Sequence, residues 1–423
     1  MQQLYKTEIS KFLEELGKEL DITRTEYEGI VKSYGAVGDW LSHEESSLKK
    51  YSPNILPQGS FMLGTIIRPV NPEEDIDIDL VCKLNKKPDS WTQKHLKTEV
   101  GNRLKSHGDY NRMLKDYKDG EYYDEGGRRC WTLKYSDAAG YHMDILPAVT
   151  CNDLAVLMER TFSADTNIEV DNLAIRLTDK EKDNYSNDSN VDNWNKSNPF
   201  GYAEWFFRRA LISKTRMFSL NESVDPVRVY EEEKLPLQRV VQLLKRHRDI
   251  MFSSKEYDCE NKPISIIITT LASMAYDKSQ SLIDAYSGIV SRMRSLIEER
   301  HNPETGKTEK WVANPINKEE NFADKWSEVK QKQDYFYKWL DKLEKDLARM
   351  TQGEGRGLQF LNESFSNMYG NEVTKKVFSN YGNNNTLLRN QGQRVMAQGT
   401  GMLGAGSVGV KVPKHDFEGN NGE

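Results

Sequence analysis

The chain has 423 residues, 37% of them hydrophobic, and a formal net charge of −6. That length suggests two or three domains, or one large one with a second lobe, and the acidic balance argues against long nucleic acid as a ligand held by bulk electrostatics. Its four cysteines, Cys82, Cys130, Cys151 and Cys259, form no CxxC pair, which excludes a zinc framework of that spacing and a disulfide scaffold. No run of about 18 apolar residues suggests a membrane span, and the N-terminal stretch has no apolar signal core, so a cytoplasmic protein is expected.

Residues 6–46 carry the helical i, i+3, i+4, i+7 pattern, first as Ile9, Phe12, Leu13, Leu16 and Leu20, then as Tyr27, Ile30, Val31, Tyr34 and Leu41. One long helix or two satisfy it equally. Prolines and glycines in 52–72 then break the period. The next stretch, "EDIDIDLVC" (74–82), alternates strictly. Period two is the strand signal, with Ile76, Ile78, Leu80 and Cys82 on a core face and Asp75, Asp77 and Asp79 on the other. Two readings fit that acid row: an edge strand kept soluble by carboxylates, or oxygen ligands for Mg²⁺ or Mn²⁺.

"RCWTLKY" (129–135) and "YHMDILPAV" (141–149) read as a strand pair joined by a turn, with Tyr141, Met143 and Ile145 on one face and His142, Asp144 and Leu146 on the other. Residues 177–200 are polar and Asn-rich and read as a loop or lobe boundary. Beyond them the chain is mostly helical. Residues 235–252 form a helix with proline in its first turn. Residues 263–276 form a helix, although their β-branched content also allows a buried strand. Residues 301–326 read as a loop, residues 335–350 as a helix, and the Gly/Asn/Gln-rich stretch from 382 as a tail.

The chemistry lies in a combination. "QGSFMLGT" (58–65) supplies a Gly-Ser turn that can present N–H groups and a hydroxyl to an anion. Two strand-borne aspartates and a third from a later strand can hold two metal ions. The third carboxylate can also accept the proton of an attacking hydroxyl. Nucleotidyl transfer needs little beyond such positioning and charge stabilisation.

In these motifs the sequence resembles the bacterial CD-NTases, cyclic-oligonucleotide synthases related to cyclic GMP-AMP synthase and oligoadenylate synthase. The resemblance covers roughly residues 40–345, through "QGSFMLGT", "DIDLVC", "YHMDILPAV", "SNPFGYAEWF" (197–206) and "NPINKEENFADKW" (314–326). It implies a mixed α+β chain: a polymerase β-like nucleotidyltransferase sheet lobe, a helical lobe and an active-site cleft between them. The boundaries expected are a helical spine over 1–50, the catalytic lobe over 51–190, the helical lobe over 191–380 and a flexible tail over 381–423. It assigns Asp77, Asp79 and Asp144 as catalytic residues and as ligands of two Mg²⁺ or Mn²⁺ ions, with Asp75/Asp77 as the alternative register. It assigns Gln58, Gly59 and Ser60 to the donor nucleotide, and Lys245 and Ser265 to the triphosphate. For Lys245 the competing reading is a solvated helix end. His142 has two readings, orienting the Asp144 carboxylate or packing, of which packing is the expectation, and His247 is expected to be exposed.

The implied activity is the joining of nucleoside triphosphates, ATP and GTP foremost, into a cyclic di- or oligonucleotide with release of pyrophosphate. The product would be a second messenger in anti-phage defence, sensed by a separate effector. Two alternatives stand beside it: a non-cyclising nucleotidyltransferase acting on RNA or protein, and a non-catalytic nucleotide-binding scaffold. A further expectation is a ubiquitin-transfer-like conjugating partner acting at the C-terminal tail, near "KHDFEG" (414–419).

Overall fold

The computed structural model describes residues 2–115, 126–135, 140–150, 173–211, 230–302, 306–391, 394–396, 403–405 and 410–412. The N-terminal periodicity resolves into two helices, α1 (Gln2–Leu20) and α2 (Arg24–Ser42). The break is a capping box at Thr23, whose hydroxyl accepts from Glu26 N–H at 3.2 Å while the Glu26 carboxylate accepts from Thr23 N–H at 2.6 Å. Each helix buries the stripe read from its spacing, Ile9 to Leu20 in α1 and Ile30, Tyr34 and Leu41 in α2. No helix among the described residues is long and apolar enough to cross a membrane.

The chain divides into two compact units, one of Ile22–Gln238 and Ala313–Asn321, the other of Met1–Asp21, Arg239–Val312 and Phe322–Glu423. The changeover at Gln238 differs from the boundary expected near 190. Late strand pairings hold residues 175–197 to the sheet, so the chain leaves this unit only after them.

The first unit is built on a six-stranded sheet: β1 (Asn54–Pro57), β2 (Ile76–Leu84), β3 (Trp131–Lys134), β4 (Tyr141–Val149), β5 (Ile175–Leu177) and β6 (Asn195–Ser197). The order is β1-β2-β4-β5-β6, with β3 also paired to β4. β2 and β4 run parallel and the other pairs antiparallel. A parallel pair requires a crossover, which here contains α4 (Gln93–Lys105) and α5 (Gly108–Lys115). One sheet face carries Ile76, Ile78, Leu80 and Cys82 with Tyr141, Met143 and Ile145, packed with Leu96 and Val100 of α4 and with the α2 stripe. Each such side chain contributes about 1.5–3 kcal/mol by burial. On the other face Leu56, Val81, Ala148, Ile175 and Phe200 form a smaller cluster. The acids occupy the remaining end of that face. The stretch 177–200 is therefore not simply a loop: it contributes β6, and its Asp179 binds two arginines. The turn expected at 136–140 lies almost wholly outside the described residues.

The second unit is largely helical. Phe12 of α1 stacks on Phe378 at 4.8 Å and meets Phe365 edge-on at 6.1 Å, and Tyr5 Oη donates to Met350 O at 2.9 Å. Residues 263–276 resolve as the helix Ser265–Ala275. The loop expected over 301–326 is corrected. Glu298–Asn302 pairs with Lys307–Trp311 here, and Ala313–Asn314 pairs with Asn317–Asn321 in the other unit. Both ribbons are rich in charged and amide residues, so they lack the apolar alternation that marks a strand. Residues 382–390 are also helical, as the end of Asn371–Asn390. Residues 414–419 lie outside the described residues.

Candidate active site

The site follows from the register of the parallel pair. Asp77 of β2 lies opposite His142 of β4, and Asp79 opposite Asp144. All four point to the face away from the main core, because alternate residues of both strands fill that core. β3 adds Thr132 opposite Asp144 and Lys134 opposite His142. Asp75 lies just ahead of β2, which begins at Ile76, and so is not a third strand acid.

His142 Nε2 stands 3.3 Å from Asp77 Oδ1. One ligand atom from each of Asp77, His142 and Asp144 lies within 4.8 Å of the other two. The hydrogen bond to Asp77 holds the imidazole above its ordinary pKa against the effect of burial. Burial pushes the Asp144 carboxyl above the usual carboxylate range, opposed by the hydroxyl of Thr132, which donates to Asp144 Oδ1. Asp77 keeps 58% of its side chain exposed, so it can give an oxygen to an ion without breaking the sheet. Two carboxylates and an imidazole at this spacing fit one divalent cation.

The Gly-Ser turn is tied to the acid strand. Gln58 N–H donates to Asp79 O at 2.9 Å, continuing the β1–β2 ladder. Gly59 then opens the short helix α3 (Gly59–Met62) at φ +59°, and a Cβ there would lie 2.5 Å from Asp79 Oδ2. The turn closes as Thr65 N–H donates to Ser60 O at 2.9 Å. Gln238 clamps it from below, donating to Leu63 O and accepting from Leu235 N–H, both at 2.8 Å.

Lys245 and Ser265 belong to the other unit. The run Leu243–Arg248 is buried, Lys245 to 5% exposure, so the helix is not solvated there. Ser265 opens its helix, and its hydroxyl accepts from Arg248 Nη1 at 2.9 Å. The expectation that His247 is exposed is corrected, since it is 1% exposed. Trp339 Nε1–H donates to its Nδ1 at 3.1 Å, and its Nε2 faces Asp346 at 3.2 Å. The packing expected for His142 is also corrected: the ring lies on the acid face and bonds Asp77. Thr132 and Gln238 had no signal in the sequence, because their roles depend on strand register and a long-range contact.

Three comparisons bear on this geometry. Residues 53–147 match the family described as cyclic GMP-AMP synthase DncV-like, nucleotidyltransferase domain. The chain is 24% identical over 416 residues to a c-di-GMP synthase of Roseivirga ehrenbergii, covering 98% of each chain. Among solved structures it is similar to the Bradyrhizobium diazoefficiens CD-NTase CdnG in complex with GTP, at TM-score 0.59 and 18% identity, over 87% of this chain and 97% of that one. It is also similar to Escherichia coli MS115-1 CdnC with ATP, at TM-score 0.54 and 13% identity, over 85% of this chain and 97% of that one. The matched segment spans β1 to β4 and contains Gln58, Gly59, Ser60, Asp77, Asp79 and Asp144. Residues 53–147 are therefore similar to a DncV-like nucleotidyltransferase domain, and the chain shares the fold of the CD-NTase structures.

Proposed function

We propose that this chain is a metal-dependent synthase that joins two nucleoside triphosphates, releases pyrophosphate and closes a cyclic dinucleotide, with two GTP and c-di-GMP as the first pair to test. The observation that carries it is the convergence of Asp77, His142 and Asp144, with Asp79 in register beside Asp144, under the Gly59 turn. The c-di-GMP synthase similar over 98% of this chain supports the choice of guanine.

In this reading Asp77, Asp79 and Asp144 hold divalent cations, two Mg²⁺ or Mn²⁺. Such ions, when bound, neutralise triphosphate charge and acidify an attacking hydroxyl. The half-buried Asp144 carboxylate, oriented by Thr132, takes up the hydroxyl proton. Gln58, Gly59 and Ser60 lie along the donor phosphates, and Lys245 and Ser265 bind the triphosphate tail. Ring closure repeats the transfer: the linear intermediate keeps one triphosphate, and its free hydroxyl attacks it. The product would serve as a second messenger of anti-phage defence, read by a separate effector.

The test is incubation with labelled ATP, GTP, CTP and UTP and Mg²⁺ or Mn²⁺, with products identified by chromatography and mass. A phosphatase-resistant cyclic product that disappears in Asp77→Asn and Asp79→Asn is expected. A linear or protein-bound product supports the non-cyclising alternative. Metal-independent nucleotide binding without turnover supports the scaffold.

A further inference from the structure

The acidic face carries one group that an oxygen-only metal site does not need. His142 sits between the two aspartates that approach it most closely. It shares its strand with Asp144, and its register partner across the parallel pair is Asp77. A histidine that served only packing would share the parity of the core-facing set of β4, Tyr141, Met143 and Ile145. His142 has the opposite parity and remains half-buried beside Asp77 and Asp144. Its neighbour on the other side, Lys134 of β3, is exposed. Asp79, the second acid of the strand, is set toward the Gly59 turn instead.

We infer that His142 is a direct ligand, through Nε2, of a divalent cation held jointly with Asp77 and Asp144, and that this nitrogen makes the site select Mn²⁺ over Mg²⁺. The inference rests on the nucleotidyltransferase reading of the same face and deepens its metal requirement. Bonds of about 2.1 Å place neighbouring ligands of an octahedral ion roughly 3 Å apart. The Nε2–Oδ1 separation is 3.3 Å, and the full set fits within 4.8 Å. Little movement is then needed: the ring gives up its Nε2–H contact to Asp77 and enters as the Nδ1–H tautomer. Mg²⁺ keeps oxygen and water ligands, whereas Mn²⁺ accepts imidazole readily and stands within the series that favours nitrogen.

The experiment uses full-length protein without nucleotide, titrated with Mn²⁺ and followed by electron spin resonance, with Mg²⁺ as competitor. Electron spin echo modulation from a directly bound imidazole nitrogen is expected in the wild-type protein. It should be absent in His142→Gln, whose Mn²⁺ affinity falls roughly 10–100-fold while Mg²⁺ affinity changes little. Saturable Mn²⁺ binding with no nitrogen modulation in the wild type overturns the inference. So does modulation that survives His142→Gln, or Mg²⁺ displacing Mn²⁺ at equal concentration. The wild-type spectrum decides even where the variant fails to fold. Product formation is scored separately. Nitrogen-ligated Mn²⁺ in a protein that makes no cyclic dinucleotide sinks the synthase reading alone; product made at an oxygen-only site sinks this inference alone.

Discussion

Gly59 and Asp79 are so close that no side chain fits between them: a Cβ on Gly59 would stand 2.5 Å from Asp79 Oδ2. The same glycine sits at φ +59°, a conformation that costs an L-residue about 1–2 kcal/mol. Gly59→Ala therefore meets two penalties, and the first, the steric one, displaces a proposed catalytic carboxylate. A displacement of about 1 Å at a reacting centre can cost 10²-fold in rate. We expect a loss of that order in cyclic product, with a melting temperature only a few degrees lower. Gly59→Ala with wild-type turnover would mean that the turn does not set Asp79.

Thr132 acts on the site through Asp144. Its hydroxyl is the only side-chain hydrogen-bond donor to that carboxylate among the described residues, and strand register brings the two face to face. Thr132→Val keeps the shape and removes the donor. Outer partners of metal-binding carboxylates are typically worth 10–100-fold in affinity or activity. Mn²⁺ affinity and turnover should both fall by about that factor, and Thr132→Ser should restore them. Equal losses in the valine and serine variants would indicate packing.

Lys245 is proposed as a triphosphate ligand, and one substitution tests that role. Lys245→Met keeps the apolar stem and removes the charge. A triphosphate contact predicts a KM for GTP raised roughly tenfold, worth about 1.4 kcal/mol, with the product unchanged. An unchanged KM in a folded variant removes Lys245 from the binding set.

Asp179 ties the polar segment after β5 to the strand region of β3. Its fully buried side chain accepts from Arg128 Nε at 2.7 Å, Arg128 Nη2 at 2.9 Å and Arg129 Nε at 2.9 Å. Burial raises its pKa, but the arginine hydrogen bonds outweigh this and hold the carboxyl down to about 2. In the unfolded chain it titrates near about 3.9. The unfolded state thus binds the proton first as pH falls, so the stabilisation is complete above about pH 4 and is lost on the way to about 2. Denaturant melts between pH 5 and 2.5 should show this loss in the wild type and a shallower one in Asp179→Asn. At neutral pH the variant should be less stable by about 2 kcal/mol.

His247 gives a second, opposite-range pH signal. Trp339 N–H can only donate, so Nδ1 must accept and the ring is neutral with its Nε2–H toward Asp346. Burial pushes its pKa down, beyond what Asp346 restores. The unfolded histidine takes up a proton near about 6.5 and the folded one does not, so stability rises with pH. Melting temperature should fall from pH 7.5 to 5.5 in the wild type. His247→Gln should flatten that slope, and an unchanged slope would assign it elsewhere.

Much of this was legible in the residues because periodicity is local. The alternation of Ile76, Ile78 and Leu80 with aspartates marks a strand whatever surrounds it, and that strand is observed from Ile76. The stripes of α1 and α2 were legible for the same reason. The charged ribbon Glu298–Trp311 was not, because its strands alternate among polar residues and carry no apolar signal. Nor was the burial of "LLKRHRD", since cations read as exposed until their partners are known. Arg246 donates to Tyr369 O and Arg248 to Pro263 O, partners 123 and 15 residues away.

What the chain sequence determined by itself is which residues alternate, which faces are apolar and which side chains carry acid, because those are properties of neighbours along the backbone. The tertiary structure decided who stands opposite whom. Parallel pairing of β2 with β4 brought Asp77 to His142 and Asp79 to Asp144 across an intervening crossover, and β3 delivered Thr132 to the same carboxylate. Register between distant strands is set by the packing of both sheet faces at once, and a slip of one residue would have sent every acid into the core.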